Sequence, residues 1–325
     1  MVKTQTSIIS SGILGGLLAA ALALVVTSFF LTFPPIIVFV GCFVSLPIFI
    51  VAFGWGTKAS FVALVTASFA IILAQNTYIG LLFALLFFSP AVYASWLLGL
   101  AKTDNNGQAV KWFPLSSVIF ILTGFISIVC VFIALFLNNF ALTPVIAERI
   151  ADFFSNSLQQ TNSASEADIA MLHNFIIVNK IQLMTRFFAL FGVLLFIGNM
   201  YFSTIWAQRW QLFGRPHDDW PTKFRLPLAA LGVFVAAFVA IFFPLGTLFN
   251  LCALIFYTTF TLVISISGLA YLHNLTRGIA GRSFILGFVY IAFFTLIFAA
   301  PLSLILLFMG IWATIQENRQ NGKQQ

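Results

Sequence analysis

Charge is what this sequence has least of. Only 7% of its 325 residues are Asp, Glu, Lys or Arg, and 61% are hydrophobic; an ordinary soluble domain carries roughly 25% charged residues. A water-soluble chain of this composition would lack the polar surface to stay dispersed, so lipid is the solvent for most of it. Carboxylates are absent from the apolar runs: all eight Asp and Glu lie in loops or near ends. Proton pumps, ion exchangers and paired-aspartate intramembrane proteases place ionisable groups at membrane depth, so these classes are disfavoured. His-Glu-x-x-His, Cys-x-x-Cys and a glycine-rich loop ending in Gly-Lys-Ser/Thr are also missing. Metal hydrolysis and self-powered ATP use therefore lack a motif, and an enzyme is not expected. The three cysteines, Cys42, Cys130 and Cys252, sit in apolar runs at no metal-ligand spacing and read as small buried hydrophobes. No cofactor and no metal are expected. The net charge of +7 is scattered through short loops, not gathered into a patch for nucleic acid.

What the sequence does have is a succession of long apolar runs, and the gaps between charges count them. Lys3 to Lys58 holds two helices of about 20 residues, broken at Pro34-Pro35. The first run continues to Phe33, past the roughly 7–15 residues of a signal-peptide core, and reads as an uncleaved helix. Lys58 to Lys102 holds two, divided near Gln75-Asn76-Thr77, and Lys111 to Glu148 one, entered at Trp112-Phe113-Pro114. Arg186 to Arg209 holds one. Arg225 to Arg277 holds two, split at Pro244-Leu245-Gly246, and Ser283 to Trp312 holds one or two, hinged at Pro301. The expectation is an all-α polytopic bundle of 8–10 membrane helices, forming one transmembrane domain over residues 1–325. Basic residues in short loops place the N-terminus in the cytoplasm, together with Lys58, Lys102, Lys111, Arg277, Arg282 and the basic 207–225 loop. The 138–180 loop then lies outside. Within it, Ile146, Ile150, Phe153 and Phe154 share a helical face that excludes Glu148, Arg149 and Asp152, which predicts a short interfacial helix. Ser155 to Ser165 reads as a linker.

Two residue sets are candidates for function. In Ser11 to Ala23, Gly12, Gly16 and Ala20 recur at every fourth position, as do Gly15, Ala19 and Ala23. They form one smooth face for helix packing or for docking a partner, since close backbone approach drives association in lipid. The second set is polar and uncharged: Gln75, Asn76 and Tyr78 in one region, Asn250 and Tyr257 in another. These are candidate ligand-binding residues lining a cavity that opens outward; the competing reading is hydrogen bonding between helices or, for nearby Ser and Thr, to their own backbone. His273 and Arg277 read as the basic end of a helix capped by Gly278. His217, Asp218 and Asp219 read as solvated charges in a Pro-bounded turn.

Several segments together carry a resemblance: Ser45-Leu46-Pro47-Ile48-Phe49-Ile50 followed by Gly54-Trp55-Gly56, then Lys111-Trp112-Phe113-Pro114-Leu115, Arg225-Leu226-Pro227, and Gly268 to Gly278. In order and spacing the chain resembles the YybS-like family of bacterial membrane proteins. That family is distantly similar to the substrate-binding (S) components of energy-coupling-factor vitamin transporters and to the rod-shape membrane protein MreD. The resemblance implies a multi-pass protein of the bacterial inner membrane. It also implies small-solute binding, with transport energised by separate ATPase subunits that dock on the small-residue face of the first helix. The alternative is a non-catalytic scaffold for envelope assembly or division, holding a membrane partner by the same face. The partners expected are the lipid bilayer, other membrane or ATPase subunits and a small-molecule solute, with no nucleic acid.

Overall fold

The hydrocarbon layer offers no water to peptide N–H and C=O groups, so a long apolar run is confined to the helix, where every such group is satisfied internally. The computed structural model describes residues 4–29, 40, 41, 43–105, 109–138, 143–160, 165–243, 245–294 and 296–321. In chain order its helices are α1 (Gln5–Phe29), α2 (Leu46–Trp55), α3 (Thr57–Ala74), α4 (Thr77–Gly99), α5 (Leu115–Asn138), α6 (Thr143–Gln160), α7 (Glu166–Val178), α8 (Lys180–Arg209), the single turn α9 (Trp220–Lys223), α10 (Leu228–Ala240), α11 (Thr247–Leu275), α12 (Arg282–Phe294) and α13 (Leu296–Asn321). One small antiparallel hairpin, β1 (Ala101–Thr103) with β2 (Ala109–Trp112), joins α4 to α5 and pairs Lys102 with Lys111. The protein is an all-α, multi-pass membrane bundle.

Among the described residues, α1, α3, α4, α5, α8 and α11 are long and apolar enough to cross a bilayer. That is fewer than the charge gaps suggest. The gaps count apolar residues, and among the described residues α2 and α10 are helices of only 10 and 13 residues, which rise about 15–20 Å against a hydrocarbon layer of about 30 Å. Pro34-Pro35 lies outside the described residues, as does Pro244. Pro301 sits inside α13; residue 295, between α12 and α13, lies outside the described residues. The outer loop also differs from expectation. Ser155–Gln160 extends α6 where a linker was predicted, and a second helix, α7, follows.

α5 and α8 run side by side through the middle. α1, α2, α3 and α4 pack to one side of them and α10, α11 and α13 to the other, while α6 and α7 form a hairpin at one end. One contiguous core extends from Ala19 to Leu307. The tightest helix crossing is α11 against α13, at Gly268 and Gly310. A Cβ on Gly268 would overlap the Leu306 carbonyl oxygen, and one on Gly310 would overlap that of Ile264. Two backbones approach this closely only where no side chain intervenes. Gly268→Ala or Gly310→Ala is therefore expected to pry α13 from α11 and cost about 1–3 kcal/mol, read as a lower midpoint of thermal unfolding in detergent. The same change at Gly198, with open space around its would-be Cβ, is expected to leave that midpoint in place.

Candidate functional site

The small-residue face of α1 is filled from within the chain. Gly12, Gly15, Gly16, Ala19, Ala20 and Ala23 are all buried. A Cβ on Gly12 would come within 2.7 Å of the Ala59 oxygen, and one on Gly16 within 2.6 Å of the Ala63 oxygen, both on α3, while Gly15 meets Val51 and Pro47 of α2. What α1 presents outward is its opposite side, with Leu14, Leu17 and Leu18 exposed.

The polar candidates do not come together around one opening. Gln75 and Asn76 form the exposed α3–α4 turn, where Asn76 Oδ1 caps α4 by accepting from the Ile79 N–H at 2.9 Å; Tyr78 is exposed in the first turn after it. Asn250 and Tyr257 lie on α11, and Tyr257 stacks on Phe234 with ring centroids 5.7 Å apart. The neighbouring hydroxyls turn to their own helices, as with Thr258 to the Leu254 oxygen and Ser265 to that of Thr261.

A buried polar node passed over in the sequence sits where α2 begins. Asn199, fully buried on α8, accepts from the Ser45 N–H at 3.1 Å and donates to the carbonyls of Gly41 and Leu195. Ser45 Oγ donates to the Phe87 carbonyl at 3.1 Å. Phe87 belongs to a π-helical turn, Ala84–Phe88, inside α4. The turn precedes Pro90, whose missing N–H and bulky ring disturb the regular ladder at Leu86. Asn199 and Ser45 thus complete the backbone hydrogen bonding of two interrupted helices. The signal was legible: Asn199 is the one carboxamide in the run between Arg186 and Arg209, apart from Gln208 at its end.

Space for a ligand lies elsewhere. At the end of the bundle that carries α6 and α7, a cleft of about 340 Å³ opens between the end of α5, the α7–α8 junction and the start of α11. It is lined by the apolar Ala134, Leu135, Val178, Ile181, Leu248 and Leu251 and by the polar Asn179, Lys180, Gln182 and Thr247. Lys180, whose ammonium donates to the Ile177 carbonyl at 3.5 Å, and the N-terminal turn of α11 both line it, and the positive end of that 29-residue helix favours a negatively charged group. The seam between α5 and α8, lined by Leu122, Ile126, Val193 and Phe196, has no room even for water.

The opposite, basic end is closed by the chain itself. α8 stops in a Schellman motif: Leu212 N–H returns to the Ala207 oxygen and Gln211 N–H to that of Gln208, with Gln211 in the left-handed region at φ 55°. This folds Phe213 onto Phe53, centroids 4.1 Å apart. Arg215, buried, then donates to Asp218 at 2.6 Å and to the carbonyls of Phe113 at 2.8 Å and Leu98 at 3.3 Å, tying this loop to the α4–α5 hairpin. Asp219 pairs with Arg277 beyond α11 and accepts from Thr222. The Arg277 hydrogen bond, with Thr222 adding a second, holds the Asp219 carboxyl below its ordinary range. His217 turns instead to Gln208 at 3.0 Å, so His217, Asp218 and Asp219 face three different partners. His273 meets the Tyr290 hydroxyl at 2.9 Å, and Gly278 takes φ 81°.

Two outcomes follow for this latch. Arg215→Ala leaves the partly exposed Asp218 carboxylate and two carbonyls without this donor, an expected loss of about 1–3 kcal/mol, and Arg215→Lys recovers only part because one ammonium cannot reproduce the fork. Gln211→Gly relieves a left-handed non-glycine residue and is expected to raise stability by about 1 kcal/mol, whereas Gln211→Val lowers it; unfolding in detergent reads all four. No family model, no curated protein and no solved structure matches the chain.

Proposed function

We infer that this membrane protein captures a small, negatively charged solute in the cleft between α5, α8 and α11, with any transport driven by separate ATPase subunits. The observation that carries the reading is the cleft: its volume of about 340 Å³ falls within the 300–1,000 Å³ of small-molecule sites. Its largely aliphatic lining, with Lys180 and three uncharged polar residues among it, has the character of such sites. The resemblance of the quoted segments to the YybS-like family, and through it to S components, agrees with solute capture and with a bacterial inner membrane. Positive-inside charge would set the latch in the cytoplasm and the cleft outside.

A scaffold for envelope assembly is the second reading, favoured by the solid α5–α8 seam and the outward apolar side of α1. On either reading a partner would meet that outer side, because the small-residue face is occupied by α2 and α3.

Solute capture predicts that one or more vitamin-like carboxylates or phosphates raise the thermal midpoint of the detergent-purified protein. Leu248→Trp, which fills the cleft from a half-exposed position, is expected to abolish that shift without lowering the ligand-free midpoint. Lys180→Ala is expected to weaken binding about tenfold, the worth of one charge-assisted hydrogen bond. No ligand-induced shift across the panel, with envelope proteins and no ATPase subunits co-purifying, would establish the scaffold instead.

A further inference from the structure

The hairpin of α6 and α7 carries two faces that its connection role does not require. Helical side chains advance about 100° per residue, so each helix has a contact stripe and two flanks. On α6 the stripe against α7 is Ala147, Ala151 and Ser155, all buried; Phe154, Ile150 and Phe153 lie to one side of it, and Glu148, Asp152 and Asn156 to the other. On α7 the stripe is Ile169 and Ile176, with Leu172, Phe175, Met171 and Val178 to one side and Glu166, His173 and Asn174 to the other. The helices pack antiparallel, and the Asp152–His173 contact at 3.4 Å joins their polar flanks along one edge. The apolar flanks must then share the remaining side.

We propose that α6 and α7 form an amphipathic pad whose shared apolar side is seated in the lipid leaflet at that end of the bundle. Phe153, Phe154, Met171, Phe175 and Val178 are each at least 49% exposed, a patch that water-facing surfaces rarely carry. Lipid is the occupant because of where the hairpin is tethered. α5 and α8, both long enough to cross the bilayer, precede and follow it, and a single residue, Asn179, separates α7 from α8. α8, which follows directly, also exposes large apolar side chains, Phe187, Leu190 and Leu194. Glu148, Asp152 and Glu166 lie on the far flank, and Arg149 sits at the outer edge of α6 between its two flanks. Asp168 is taken up in the capping box of α7, where Ser165 and Asp168 satisfy each other's backbone N–H groups; charge at the margins of an apolar face suits an interfacial helix pair. Val178, Asn179 and Lys180 also line the cleft, so a seated pad sets the cleft mouth at headgroup level. The pad does not depend on the cleft binding anything.

The test incorporates the photoreactive, near-isosteric benzoyl-phenylalanine at Phe153, Phe154 and Phe175, and at Asn156 and Asn174 on the polar flank. Membranes are irradiated and adducts identified by mass spectrometry. Acyl-chain adducts at the three Phe positions with none above background at the two Asn positions are expected. Protein adducts at the Phe positions would overturn the proposal in favour of a partner or second copy. Absence of adducts there, or equal lipid adducts at all five sites, would overturn it outright. A position whose variant does not accumulate is replaced by Met171 or Val178 on the same flank, so the comparison between flanks stands.

Discussion

Wherever a helix is interrupted in an apolar environment, the freed backbone groups must find protein partners, because lipid supplies none and each unpaired group costs several kcal/mol. This fold interrupts its helices repeatedly and meets that constraint at several of the described breaks with a side chain or a special turn. Asn199 and Ser45 serve the start of α2 and the π-turn of α4. Gly56, at φ 90°, lets α3 begin as soon as α2 has ended, and its N–H still reaches the Ala52 oxygen. Ser267 Oγ donates to the Phe224 carbonyl where the chain climbs back toward α10. The broken segments are the ones that make the bundle more than parallel rods, and α2 in particular lies against α1, α3, α4 and α8 at once.

Close packing supplies the rest of the cohesion. The α1 face against α3 and the α11–α13 crossing rely on the same device, glycine and alanine where backbones meet. Large residues are left to the outside, where Leu, Ile and Phe face lipid at no hydrophobic penalty. Ser127 and Thr259, 2.7 Å apart, add a hydrogen bond between α5 and α11. The α5–α8 seam is packed solid, the cleft lies toward one end, and the two ends are built differently. The basic end is cross-tied by Arg215, the Asp219–Arg277 pair and Asn318, which donates to the Leu226 carbonyl. The other end carries the cleft and the α6–α7 hairpin. Because Asp219 is held below its ordinary pKa, its tie contributes above the usual aspartate range near 3.9. The contribution is lost as acid protonates the carboxylate, so the tie is in place at neutral pH.

Composition and pattern determined a good deal on their own. Scarcity of charge and long apolar runs dictated a helical membrane bundle, because the solvent leaves the backbone no other choice. The α3–α4 turn at Gln75-Asn76-Thr77 was legible because Asn caps a helix by local hydrogen bonding, and the end of α11 because Gly278, lacking a Cβ, takes a positive φ at no steric cost. Gathering of the basic loops at one end follows from charge and is met in the Arg215–Phe113 and Asp219–Arg277 contacts.

The tertiary structure decided which of these features face one another. Gly268 and Gly310 are 42 positions apart, so no local period marks their contact. Asn199 reads as one more polar residue until the π-turn and the start of α2 are folded against it. Gln75 and Asn250 share a chemistry but not a cleft, whereas Lys180 and Thr247 line one cleft only because α8 packs on α11. Local sequence sets the conformation of each segment through its own backbone and solvent; the meeting of distant segments depends on surfaces that exist only once those segments have formed.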